Sequence, residues 1–325
     1  MADKHVPVTI LTGFLGSGKT TLLNRILKED HGLKIAVIEN EFGAEGIDNE
    51  LLLQNPDEQI VEMNNGCICC TVRGDLVRIL GDLRERRQAG ELSFDRVVIE
   101  TTGLADPGPV AQTFFIDDDV ADYYMLDAVV VLVDAKHGDR QLTEHKEAQE
   151  QVAFADRLML SKVDVATPDE VKSIKARLAR LNPRAPIKEV HFGNADIRDV
   201  LDLKGFNLNA ILDINPEFLS SDEHHHDDAV QSFVFKSNKP FNPSKLEDFL
   251  SGIIQVYGQD MLRYKGVLYM KGMDRQTVFQ GVHQMMGADQ GRRWQPGEKP
   301  GSKMVFIGRN LPRDIFLQGL EQCLA

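Results

Sequence analysis

Nowhere does the sequence offer an apolar run near the ~20 residues that a membrane-spanning helix requires. Its opening, Met1-Ala2-Asp3-Lys4-His5, leads into a short strand-like run and lacks a signal-peptide core, so the expected setting is a soluble, cytoplasmic one. Cysteine is scarce, four in 325 residues, which excludes a disulfide framework. Basic charge is in deficit: 37 Lys and Arg stand against 50 Asp and Glu, a formal charge of -13. A chain this acidic is not expected to bind nucleic acid or a membrane surface, because both are polyanions. A mononucleotide stays open, since backbone N–H groups can cradle a phosphate whatever the global charge. There is no internal repeat. What remains is 42% hydrophobic and 27% charged, the balance of a globular protein, and 325 residues suit two domains better than one core.

From Val6 to about Val190, short Val- and Ile-rich runs alternate with amphipathic stretches. The runs are Val8–Thr12, Lys34–Glu39, Gln59–Met63, Arg96–Glu100, Ala128–Asp134, Arg157–Ser161 and Ile187–Val190. Helix-like segments lie between them at Lys19–Glu29, Leu76–Gln88, Pro109–Phe115, Leu142–Ala155 and Pro168–Leu181. This is the pattern of an α/β fold with a mostly parallel sheet covered on both faces. Parallel strands share one carboxyl edge, where ligands bind, and several runs end there in polar residues: Thr12, Glu39, Glu100, Asp134 and Ser161. The pattern fades after about Gly205. The expected division is a P-loop domain over 1–205, an acidic, histidine-containing linker over 206–229 and a smaller α+β domain over 230–325. In the last, strands are expected near Val230–Lys236, Leu262–Met270, Thr277–Val282 and Lys303–Gly308, with helices at Pro243–Tyr257 and Pro312–Cys323.

Gly13-Phe14-Leu15-Gly16-Ser17-Gly18-Lys19-Thr20 fits G-x-x-x-x-G-K-[ST] between an apolar strand and a helix. Gly13, Gly16, Ser17 and Gly18 would let backbone N–H groups wrap a β-phosphate at a helix N-terminus, with Thr21 in the first helical turn. Lys19 would bridge β- and γ-phosphates, and the Thr20 hydroxyl would face Mg²⁺. The bland alternative is a glycine-rich turn with a chance lysine. In Arg96–Gly103, Glu100 closes a strand and can orient water on Mg²⁺ or polarise the attacking water, while the Gly103 N–H can approach the γ-phosphate. Ser161-Lys162-Val163-Asp164 stands where GTPases carry [NT]-K-x-D. There Asp164 would accept from the guanine N1–H and amine, and the Lys162 stem would lie on the base. Serine at the first position is expected to weaken the bond that braces this loop.

Cys67 and Cys69 point the same way on an extended chain, and Cys70 can join if the backbone turns, as Gly66 and Arg73-Gly74 would allow. Three thiolates suit Zn²⁺ or another soft ion and leave a fourth position open. Buried thiols or a redox pair are the alternatives. Glu39 or Glu41 could complete the zinc shell, respond to Mg²⁺, or belong to a charged loop. His224–His226 could capture metal or be a solvated acidic loop.

Together these pieces resemble the CobW family of P-loop metallochaperone GTPases. The resemblance is carried by Leu11–Thr21, Glu39–Gly43, Asn65–Cys70 and Glu100–Gly103. In the second domain it rests on Arg263-Tyr264-Lys265-Gly266, Phe279-Gln280-Gly281-Val282 and Met304–Gly308. It implies slow GTP hydrolysis with Mg²⁺, zinc or a similar transition metal at Cys-x-Cys-Cys, and delivery to a client metalloprotein or a role in metal homeostasis. A nucleotide- or metal-dependent homodimer is a further expectation. The rivals are a zinc buffer with incidental hydrolysis and a P-loop kinase.

Overall fold

The computed structural model describes residues 5–29, 31–39, 59–62, 71–191, 195–203, 229–295 and 297–325. Cys67, Cys69, Cys70, Glu41, His224–His226 and most of the expected linker lie outside the described residues. Two compact units are present.

The first unit is built on a sheet of seven strands: β1 (Val6–Gly13), β2 (Ile35–Glu39), β3 (Gln59–Glu62), β4 (Arg96–Glu100), β5 (Tyr124–Asp134), β6 (Arg157–Ser161) and β7 (Ile187–Val190). Their order is β3-β2-β4-β1-β5-β6-β7 and every pairing is parallel. The runs are continuous rather than alternating because both faces are covered: Val8, Ile10, Val97, Val98, Val129 and Val130 have no exposed surface. Removing each such side chain from water contributes about 1.5–3 kcal/mol. The helices between these strands are α1 (Lys19–Lys28), α2 (Thr71–Gln88), α3 (Pro107–Ile116), α4 (Asp118–Ala121), α5 (Gly138–Glu144), α6 (Lys146–Phe154) and α7 (Pro168–Leu181), of which residues 152–154 and 175–181 fall to the second unit.

Two local expectations are corrected. Arg73-Gly74 does not form a turn; it lies inside α2, whose apolar positions Leu76, Ile79, Leu80 and Leu83 recur at helical spacing. The single helix expected over Leu142–Ala155 begins at Gly138 and is interrupted at His145, whose backbone is extended (φ -131, ψ 119). No helix among the described residues is long and apolar enough to cross a membrane.

The second unit carries an antiparallel sheet of order β11-β10-β9-β12-β8. Its strands are β8 (Val230–Ser237), β9 (Met261–Leu268), β10 (Arg275–Val282), β11 (Met285–Arg293) and β12 (Ser302–Arg309). Helices α8 (Pro243–Tyr257) and α9 (Arg313–Gln322) complete it. Phe233, Phe235, Phe279, Met304 and Phe306 share a core with Leu246, Leu250 and Ile253 of α8 and Phe316 and Leu320 of α9. The Tyr-x-Gly and Phe-x-Gly spacings are reciprocal. A Cβ on Gly266 would lie 2.1 Å from the Phe279 ring, and one on Gly281 would lie 2.0 Å from Tyr264, so each ring fills the space its opposing glycine leaves. Strand β11 was not foreseen: it is an edge strand exposed at most positions, with two glycines and no alternation to read.

Candidate functional site

The carboxyl edge of the parallel sheet presents, in spatial order, Glu39, Glu100, the Gly13–Thr20 loop, Asp134 and Ser161. Each closes a strand whose apolar body is buried, so the sheet order alone sets them side by side.

The Gly13–Thr20 loop leaves β1 with positive φ at Gly13 (142°), Gly16 (72°) and Gly18 (98°), a run that only glycine adopts cheaply. Gly18 sits at the start of α1 without a side-chain cap, leaving the first helical N–H groups pointing out of the helix. Ser17 is fully buried, and its Oγ has no hydrogen-bond partner among the described residues. Lys19 is 9% exposed and folds inward, donating to the carbonyls of Gly13 (2.8 Å) and Phe14 (3.4 Å). Burial pulls its pKa below the ordinary lysine value, opposed by the Glu100 carboxylate. The Thr20 hydroxyl donates to Glu100 Oε1 at 3.0 Å. Thr21 is exposed in the first turn of α1.

Inward-facing donors, an orphaned hydroxyl and a threonine paired with an acid form a donor set that fits a polyphosphate carrying a hard divalent cation. Glu39 is half-buried at the end of β2 and is the register partner of Glu100. It is also the register partner of Glu62 on β3, so three acidic positions form one row across adjacent strands.

After Glu100 the chain is tied down closely. The Thr101 N–H donates to the Leu11 carbonyl (3.0 Å), and the Thr101 hydroxyl donates to Thr12 Oγ1 (2.7 Å). Gly103 passes so near the phosphate loop that a Cβ there would lie 2.7 Å from the Leu15 nitrogen. Only glycine allows that approach. Gln151 of α6, 1% exposed, donates from Nε2 to the carbonyls of Gly103 (3.1 Å) and Ala105 (3.0 Å). The His145 ring stacks on Phe14 at 4.6 Å, and Gln141 donates to the Leu15 carbonyl (3.3 Å). Neither Gln151 nor His145 was foreseen. A buried glutamine in an amphipathic helix carries no sequence signal for the carbonyls it reaches.

On the far side of the loop, the Ser161 hydroxyl donates to the Ser17 carbonyl at 2.6 Å, with the Val133 carbonyl at 3.2 Å. The short arm of serine spans the gap because Asp134 and Ser161 are register partners and the phosphate loop lies against them. Lys162 takes a left-handed backbone (φ 56) and its ammonium pairs with Asp134 Oδ2 at 2.8 Å. Asp164 follows, exposed.

The nucleotide-binding domain model of the CobW/HypB/UreG family matches residues 7–189, and the cobalamin synthesis protein cobW C-terminal domain model matches residues 230–324. The chain is 43% identical over 310 residues to the zinc chaperone YjiA of Escherichia coli (strain K12), covering 95% of this chain and 96% of that one. It is 32% identical over 353 residues to the zinc-regulated GTPase metalloprotein activator 1 of Schizosaccharomyces pombe, covering 95% and 83%. The crystal structure of zinc-bound YjiA GTPase from E. coli superposes with a TM-score of 0.84 at 36% identity, covering 99% of each chain. With both of the family's domains matched in order, the chain belongs to the CobW family.

Proposed function

We propose that this protein is a cytoplasmic, GTP-hydrolysing zinc chaperone. Lys19 and the backbone of Gly13–Thr21 hold the β- and γ-phosphates. The Thr20 hydroxyl would hold Mg²⁺, with Glu100 placed to orient water on it, and the ion would supply neutralisation of phosphate charge. The alternative role for Glu100 is to polarise the attacking water, and the Gly103 N–H meets the γ-phosphate. Ser161, Lys162 and Asp164 form the base subsite. Zinc is cargo, carried by Cys67, Cys69 and Cys70 with Glu39 as the group able to complete or open the shell.

The observation that carries this reading is the row Glu62, Glu39, Glu100 across β3, β2 and β4. Strands lie about 4.8 Å apart, so Glu62 falls within about 10 Å of the acid beside Thr20. Cys67 is tethered five residues beyond Glu62, a reach of at most ~18 Å. That reach allows cargo and nucleotide to share one sheet edge. Loss of the γ-phosphate can release the Glu39 and Glu100 segments and alter the metal shell. The similarity to the zinc chaperone YjiA and to its zinc-bound structure supports the same reading. The partners of this reading are a client metalloprotein and, in a nucleotide- or metal-dependent way, a second copy of the chain.

The test is growth under zinc limitation with Lys19→Ala. A chaperone powered by GTP loses function as fully as a deletion; a buffer with incidental hydrolysis keeps wild-type growth.

A further inference from the structure

Asp134 ends β5 with only 2% of its side chain exposed, and four donors converge on it. Oδ1 accepts the N–H groups of Lys136 (2.8 Å) and His137 (3.0 Å), closing the turn that starts α5. Oδ2 faces the other way and receives the Lys162 ammonium (2.8 Å) and His137 Nδ1 (3.1 Å). One half of the carboxylate thus fixes a turn, and the other half reaches the loop after β6. Lys162 meets it from a left-handed backbone, which costs a non-glycine residue roughly 1–2 kcal/mol and persists only where surroundings hold it.

The same turn grips the loop's far end. Lys136 pairs with Glu170 (2.8 and 3.0 Å), whose carboxylate also accepts the Thr167 N–H at the start of α7. Residues 162–167 are therefore held at both ends by residues 134–136, with exposed Asp164 between the anchors.

We propose that Asp134 is the positioning residue for nucleobase selectivity: its ion pair with Lys162 lays the lysine stem as one wall of the base subsite and fixes the left-handed turn that presents Asp164 to a guanine edge. This rests on the base-subsite role given above to Asp164. Without the pair, Lys162 relaxes toward ordinary backbone angles and Asp164, two residues on, no longer stands where two parallel hydrogen bonds to guanine can form. Phosphate binding, made at Gly13–Thr20, is untouched. A residue of purely structural importance would weaken both nucleotides alike.

The experiment measures GDP and ADP affinities, with fluorescent analogues and Mg²⁺, for wild type, Asp164→Asn, Asp134→Asn, Lys162→Met and the Asp134→Asn/Lys162→Met double variant. Wild type preferring GDP, with the preference abolished by Asp164→Asn, establishes the subsite; a wild type without preference, or an Asp164→Asn that keeps it, overturns the subsite and this inference together. Given the subsite, Asp134→Asn is expected to cut the ADP-to-GDP dissociation-constant ratio about tenfold, the worth of a charged hydrogen-bond pair, with ADP affinity within about twofold. Lys162→Met should lower the ratio by a similar factor, and the double variant no more than either. A retained ratio, an equal loss for both nucleotides, or additive losses in the double variant would overturn the proposal. Should Asp134→Asn fail to fold, Lys162→Met alone decides: selectivity lost supports it, selectivity kept refutes it.

Discussion

The Ser161 hydroxyl donates to the Ser17 carbonyl at 2.6 Å, joining two loops 144 residues apart in the chain. One side of that bond is the phosphate cradle and the other is the start of the base-reading loop, so a single short contact sets the spacing between two halves of a nucleotide site.

Replacing Ser161 with Ala removes this brace and leaves the Ser17 carbonyl buried without its donor. A neutral hydrogen bond is worth about 1 kcal/mol, so GDP affinity should fall about fivefold. Titration calorimetry checks it. Because the brace acts on the spacing and not on base identity, ADP should weaken in parallel.

Gln151 holds the Gly103 and Ala105 carbonyls and touches no reacting atom. Gln151→Leu keeps the volume and frees the loop that meets the γ-phosphate. Turnover should drop about tenfold, equivalent to ~1.4 kcal/mol of barrier, while KM for GTP stays within about twofold. Steady-state phosphate release separates the two parameters.

At the amino edge of the sheet, Arg96 pairs with Asp127 at 2.8 Å with both side chains almost fully buried. Asp127 also accepts from Thr9 Oγ1 (3.4 Å) and the Leu203 N–H (3.2 Å). Asp127→Ala leaves the buried Arg96 guanidinium with only the longer ion pair to exposed Asp202 (3.8 Å) and should cost about 3 kcal/mol in urea unfolding. Nucleotide affinity of the folded fraction should not change, since the pair lies at the edge opposite the site.

Acid should act through Asp134. Burial raises its pKa, but hydrogen bonds from Lys162, His137 and Lys136 outweigh it and the net shift is downward. A carboxylate with a depressed folded pKa stabilises the fold above its unfolded value, near 3.9, and loses that contribution as pH falls through the folded one. The stability gap between wild type and Asp134→Asn should be constant above about pH 5 and shrink toward pH 3.

Much of this was legible in the sequence because the parallel strands are buried on both faces. Val97-Val98-Ile99 or Ala128–Val133 cannot be anything but covered strands, and their polar last residues mark the ligand edge. The cradle was equally plain, since G-x-x-x-x-G-K-[ST] between an apolar strand and a helix has few other uses. Contacts made by chemically ordinary residues were not legible. Ser161 was read by residue type rather than reach, Gln151 gives no local signal, and the left-handed Lys162 is set by a partner 28 positions away. β11 escaped because an exposed edge strand needs no apolar face.

The central claim is that the metal shell feels the nucleotide. Zinc affinity of the same preparation, measured by competition with a chelating dye, should differ between a non-hydrolysable GTP analogue and GDP by about 5–150-fold, the range of a 1–3 kcal/mol coupling. Equal affinities in the two states would contradict the account, leaving a nucleotide hydrolase and a zinc site that share a chain without sharing a mechanism.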